Sequence, residues 1–210
     1  MTDDRMGGIA LIAGATGAIV TMSIHPSGHD LFAPGQFAAM ARLTVVAHAL
    51  ALASVPVSFL GAMALSRRVA TPERLALAAL VTYAFASIAV MSAAVVSGLV
   101  GPTLVRQLLA AEPPAKAAWE IAFRYNGMLN QALARVYVVA SSVAIVLWSA
   151  SILRSGALAW GLGIWGCLVG PVILIALLSG HLTLGVHGFG LVVLAQASWL
   201  VAVGALMCRR

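Results

Sequence analysis

The fold class predicted for this chain is an all-α, polytopic membrane protein, a bundle of six transmembrane helices. Three observations carry that reading. Of the 210 residues, 62% are hydrophobic and only 9% charged, a composition well outside that of soluble domains. The mean hydropathy is +1.03. The apolar residues are gathered into six runs long enough to cross hydrocarbon as helices, at about 20 residues each. No soluble second domain remains, so residues 1–210 form a single six-helix transmembrane domain.

The first span runs from about Gly7 to Ile24, with Ala10, Gly14 and Ala18 at the small-xxx-small spacing that lets a neighbouring backbone approach. The stretch before it, Met1 to Arg5, lacks the positive region of a signal peptide, so this run is read as a retained helix. A loop rich in Gly and Pro follows (Pro26, Gly28, Pro34, Gly35) and forces a turn. Span two covers about Leu43 to Leu65, with Pro56 as a predicted kink. In the basic loop after it, Thr71 suits an N-cap, Pro72 the first helical position and Glu73 the positive end of the dipole.

Span three covers about Leu75 to Val100, with Gly101-Pro102 as its exit. Between Val105 and Val136 the polar groups are too dense for hydrocarbon. This part is expected to be an extended outer hairpin, broken at Pro113-Pro114, between helices 3 and 4. Span four proper runs from about Val136 to Leu153. Span five runs from Trp160 to Leu178, with Gly166 and Gly170 at packing spacing and Pro171 as a kink. Span six runs from Gly188 to Met207.

The formal net charge is +6, yet the basic residues are scattered at the ends of apolar runs. Eleven of the twelve are Arg, and Lys116 stands alone in a loop. They form no patch for nucleic acid, and the partner they imply is the lipid bilayer. An even number of crossings puts Arg5, Arg67, Arg68, Arg74, Arg154, Arg209 and Arg210 on one side, against Arg42, Arg106, Lys116, Arg124 and Arg135 on the other. The positive-inside rule makes the first side cytoplasmic, with both termini inside a bacterial inner membrane. Association as a homo-oligomer or with a partner membrane subunit is left open.

With that topology all five histidines fall at the outer end. His25 and His29 follow span one, His48 lies just inside span two, His181 follows span five and His187 opens span six. Imidazole is the commonest protein ligand for zinc, copper and haem iron. The expectation is therefore an outward-facing polar cavity, walled by spans one, two, four, five and six, that binds haem or a transition metal (Zn, Cu or Fe). His25, His48 and His187 are its best-placed ligands, His29 and His181 its alternates, and Asp30 an orienter. His48 weighs most, because an ionisable side chain inside a span is a functional candidate. Spacing alone is weak: Pro26 and Gly28 argue against one helical face for His25 and His29, and the six-residue step from His181 to His187 matches no standard metal signature. The two cysteines, Cys167 and Cys208, are too few for an iron–sulfur cluster and form no CxxC motif.

The second polar feature is the entry to span four. Glu120, Arg124, Gly127, Gln131 and Arg135 share one helical face. The alternative function that follows is binding or transport of a small anion or lipid headgroup through Arg42, Arg124 and Arg135. The simpler account is a solvated face.

Pro26-Ser27-Gly28-His29 resembles the central motif of membrane phosphatidic-acid phosphatases. That family also requires an upstream lysine and a later aspartate, and here no lysine precedes His29 and no aspartate follows Asp30. A broader pattern covers most of the chain: Leu65-Ser66-Arg67-Arg68 ends span two, and Leu153-Arg154-Ser155-Gly156 leads into Trp160-Gly161-Leu162-Gly163. It resembles a six-span bacterial inner-membrane family known only as a domain of unknown function. That resemblance implies the same fold and no activity, and it leaves enzyme, transporter and interaction subunit all open.

Overall fold

A computed structural model describes residues 3–27, 30–33, 35–71 and 74–209. It is all-helical, with no strand among the described residues. Helix α1 spans Asp3–Ile24, and a 3-10 turn follows at Asp30–Phe32. Helices α2 (Phe37–Arg68) and α3 (Leu75–Val95) come next, then a π-helical turn at Val96–Val100. The remaining helices are α4 (Gly101–Ala110), α5 (Ala115–Ser155), α6 (Trp160–Leu178) and α7 (Val186–Cys208). Counting α3 to α4 as one unit, six helices are long and apolar enough to cross a membrane.

The helix of the third span continues past Gly101-Pro102 to Ala110. Pro102 has no N–H to give to the continuing ladder, and the π turn just before it absorbs the misfit. One local expectation is corrected: Thr71 does not cap α3. Arg74 holds that position in the left-handed region (φ 59°, ψ 19°) and its side chain makes no cap bond. The Arg74 N–H instead closes a turn on the Thr71 carbonyl at 3.1 Å, and Pro72 and Glu73 lie outside the described residues. Pro56 and Pro171 sit inside α2 and α6, both of which run through unbroken.

Helix α1 lies between α2 and α7, α3 packs on α5, and α6 packs mainly on α5. Small residues set these distances. A Cβ on Gly14 would lie 2.7 Å from the Ser58 backbone nitrogen and 2.9 Å from the Ser54 carbonyl oxygen, so α1 and α2 touch backbone to backbone there. Gly166 and Gly170 play the predicted part in α6, against Ser149 and Ser142 of α5.

The core is centred on Trp148 and Trp199, both fully buried, with Leu11, Leu65, Ile145 and Val203 around them. Each indole N–H is satisfied: Trp148 Nε1 donates to Ser66 Oγ at 2.8 Å and Trp199 Nε1 to the Leu162 carbonyl at 3.0 Å. Leu60, Phe85, Ile88, Val172 and Ile175 point outward instead. Helices apolar on the inside and the outside alike are the pattern expected where hydrocarbon is the surrounding medium.

The end of α1, the starts of α2 and α7 and the middle of α5 meet at one end of the bundle. Met22 Cε approaches Gly190 of α7, 3.7 Å from where a Cβ would sit. Gln131 Nε2 of α5 donates to the Leu184 carbonyl at 3.0 Å. At the opposite end Arg68 pairs with Asp4.

Candidate functional site

At the first of these ends two imidazoles meet. His25 follows the last residue of α1 and His48 lies on the fourth turn of α2. Their Nε2 atoms are 3.2 Å apart, and the ring centroids are 4.7 Å apart with planes inclined at 62°. His48 is buried and His25 half-buried.

The backbone dictates the state of both rings. His48 Nδ1 lies 2.7 Å from the Thr44 carbonyl, one turn back on α2, and His25 Nδ1 lies 2.8 Å from the Pro26 carbonyl. A carbonyl oxygen only accepts, so each Nδ1 carries a hydrogen and donates it. In a neutral imidazole the other nitrogen is then a bare acceptor. Two neutral rings held this way aim lone pairs at each other across 3.2 Å, an arrangement that needs a positive centre between them. A proton shared between the two rings would satisfy both nitrogens, and so would a cation. Burial pushes the His25 pKa below its ordinary value of 6.5, and the Pro26 carbonyl only partly offsets it.

The surroundings hold the rings in place. The π turn brings Gly98 against His48, and a Cβ there would overlap the His48 ring. Only glycine leaves room for it, and π turns recur at functional sites. Asp30 does not contact either imidazole. Its Oδ2 accepts from the Ser27 N–H at 2.6 Å, tying down the loop that follows Pro26, so it supports His25 at one remove.

Of the five histidines expected to converge, only these two do so among the described residues. His181 and His187 are exposed. His181 Nδ1 pairs with Ser179 Oγ at 2.8 Å, and His29 lies outside the described residues. No group of three His, Cys, Asp or Glu side chains suited to a metal occurs among the described residues. Arg42, Arg124 and Arg135 are all exposed, and Arg42 Nε turns back to the Ala38 carbonyl at 3.3 Å. Both cysteines are half-buried and free.

Beneath the pair lies a cavity of about 80 Å³, walled by α1, α2, α3, α5 and α7. Among the described residues no histidine lines it, and where the histidine-lined cavity expected from sequence had α6 in its wall this one has α3. The difference follows from packing, since α6 lies outside α5 while α3 presents Tyr83, Ser87 and Val90 inward. Its polar lining includes Thr21, Ser54, Ser58 and Gln196. None of these was singled out in the sequence, where serine and threonine are too common in apolar helices to stand out. Gln196 carried a signal, being the one amide side chain in α7. It is buried and satisfied on both sides, accepting from Ser141 Oγ at 3.0 Å and donating to Ser142 Oγ at 3.1 Å.

Comparison of the chain with family models, curated proteins and solved structures found no match. The functional reading therefore rests on this geometry.

Proposed function

We propose that the chain is a multi-pass protein of a bacterial inner membrane that holds one transition-metal ion at its outer end, with His25 and His48 as two adjacent ligands. The carrying observation is the 3.2 Å between the two Nε2 atoms while both Nδ1 atoms are committed to carbonyls. Metal–nitrogen bonds of about 2.0–2.1 Å at a tetrahedral angle put neighbouring donors about 3.3–3.4 Å apart. Donation of the second ring N–H to a backbone carbonyl is the usual way a metal-binding histidine is oriented.

The same distance argues against haem held between the two rings. Ligands on opposite faces of a haem iron stand about 4 Å apart with the macrocycle between them. Imidazole suits Zn, Cu and Fe alike, and two protein nitrogens leave positions on the ion for solvent or a small reactant.

Sidedness in this proposal follows from charge. Arg5, Arg67, Arg68, Arg74, Arg154 and Arg209 lie at the end of the bundle away from His25 and His48, which the positive-inside rule makes cytoplasmic, with both termini. Helix α5, 41 residues or roughly 60 Å long, then outreaches a hydrocarbon core of about 30 Å. With α4 it forms the extended outer hairpin.

The test is elemental analysis and titration of the purified full chain with Zn(II) and Cu(I). About one ion per chain, lost in His25→Ala and in His48→Ala, is the expected result. A wild-type protein that binds neither ion, nor carries iron or a haem absorption band, overturns the proposal.

A further inference from the structure

The cavity under the histidine pair is independent of any metal. Among the described residues its lining carries no charged side chain, only hydroxyls, one amide and apolar groups. With no opposite charge to pair with, a neutral occupant is favoured over an ion. Its volume of about 80 Å³ is well above the roughly 10–15 Å³ that one water molecule needs.

The hydrogen-bond accounting narrows the choice. Ser54 Oγ donates to the Leu50 carbonyl at 2.7 Å and Ser87 Oγ donates to the Tyr83 carbonyl at 2.8 Å. Each hydroxyl hydrogen is spent on its own helix, and what remains is acceptor capacity. Thr21 goes further. It is 95% buried by its 5% exposure, lines the same cavity, and its Oγ1 has no hydrogen-bond partner in the protein. A buried hydroxyl left without a partner costs free energy. A donor able to bond several acceptors at once answers both observations.

We infer that this cavity is a hydrated pocket, in which water donates to Thr21, Ser54 and Ser87 and reaches into the bundle from beneath the histidine pair. Thr21 lies one turn before His25 on α1, and Ala51 one turn after His48 on α2, so the upper wall of the pocket adjoins both rings. Ser58 and Gln196 lie deeper, Ser58 ten residues below His48, or roughly 15 Å along α2. Purely apolar cavities of this size stay dry, whereas polar ones hold ordered water.

Water-edited solid-state NMR of the full chain in lipid bilayers tests this, with chelator present so that no metal contributes. Polarisation from water should reach Ser58 and Gln196 several-fold faster than it reaches Ile145 and Val203, which are equally buried but away from the cavity. Thr21→Val gives a second readout at nearly constant volume. A wet pocket loses a hydrogen bond and the unfolding midpoint falls, whereas a dry one sheds an unpaired hydroxyl and the midpoint rises. Transfer to Ser58 and Gln196 as slow as to Ile145, or a midpoint that rises, overturns the inference.

Discussion

The two histidine pairs at this end of the bundle have the same residue type at helix junctions of the same kind, and their environments are opposite. His25 and His48 span the junction of α1 and α2, with both Nδ1 atoms fixed to carbonyls and both Nε2 atoms facing each other. His181 and His187 flank the junction of α6 and α7, both exposed, with His181 bonded only to its neighbour Ser179. Burial and backbone fixation, more than level in the bundle, set the two pairs apart. The reason lies in packing: α1 and α2 meet along a glycine and serine seam that draws their ends together, while α6 and α7 touch each other little.

The sharpest break of that contrast is His48→Ala, which removes a buried nitrogen donor and leaves His25 facing a void. Affinity for Zn(II) or Cu(I) should fall about 100-fold or more, judged against the 10–100-fold that loss of an orienting partner alone costs. Isothermal titration measures it, and a loss under threefold would remove His48 from the site. Gly98→Ala comes next. The added Cβ meets the His48 ring, so the ring must move off the Thr44 carbonyl. A metal affinity lower by about tenfold and a stability lower by about 1–3 kcal/mol are expected, and unchanged values for both would show that the π turn yields more easily than the ring.

A smaller effect comes from pH. The folded His25 has a pKa below 6.5, so the unfolded chain takes up the proton first as acid is added. Stability from the neutral ring is fully present above pH 6.5 and is lost as pH falls from there through the lowered folded value. Because the ring is only half-buried, the slope should be well under the limit of about 1.4 kcal/mol per pH unit for one proton. Unfolding midpoints in detergent between pH 8 and 5 should decline in wild type and flatten in His25→Gln. Parallel declines in both proteins would assign the effect elsewhere.

Hydropathy alone located the six helices, because apolar runs of spanning length have few other uses in a chain this poor in charge. Trp160–Leu178 was legible to the residue. Helix ends were harder to place at Phe37, where α2 begins before the run read from Leu43, and from Ala115 to Val136, where polar residues continue the helix. The meeting of His25 and His48 was half legible. An intramembrane histidine draws attention by chemistry, so His48 stood out, and His25 followed from its level. What local sequence does not contain is the third dimension: that Gly98 arrives through a π turn, that the Pro26 and Thr44 carbonyls fix both tautomers, and that His187 stays apart. Which helices wall the cavity was not legible for the same reason, since hydropathy does not tell which helices are neighbours.

The smallest expected effect is the control that gives the comparison its meaning. His181→Ala combined with His187→Ala removes two imidazoles from the same end of the bundle and should shift metal affinity by less than about twofold. Stability should stay within about 0.5 kcal/mol, the range for exposed side chains away from special features. The Ser179 hydroxyl loses nothing essential, because it already donates to the Ile175 carbonyl at 2.7 Å. If the double variant instead weakens metal binding as much as His48→Ala, the ion is gathered by the whole histidine-rich end, with α6 and α7 closing toward α1 when it binds. Loss confined to His25 and His48 leaves the two rings, their carbonyls and Gly98 as the working unit.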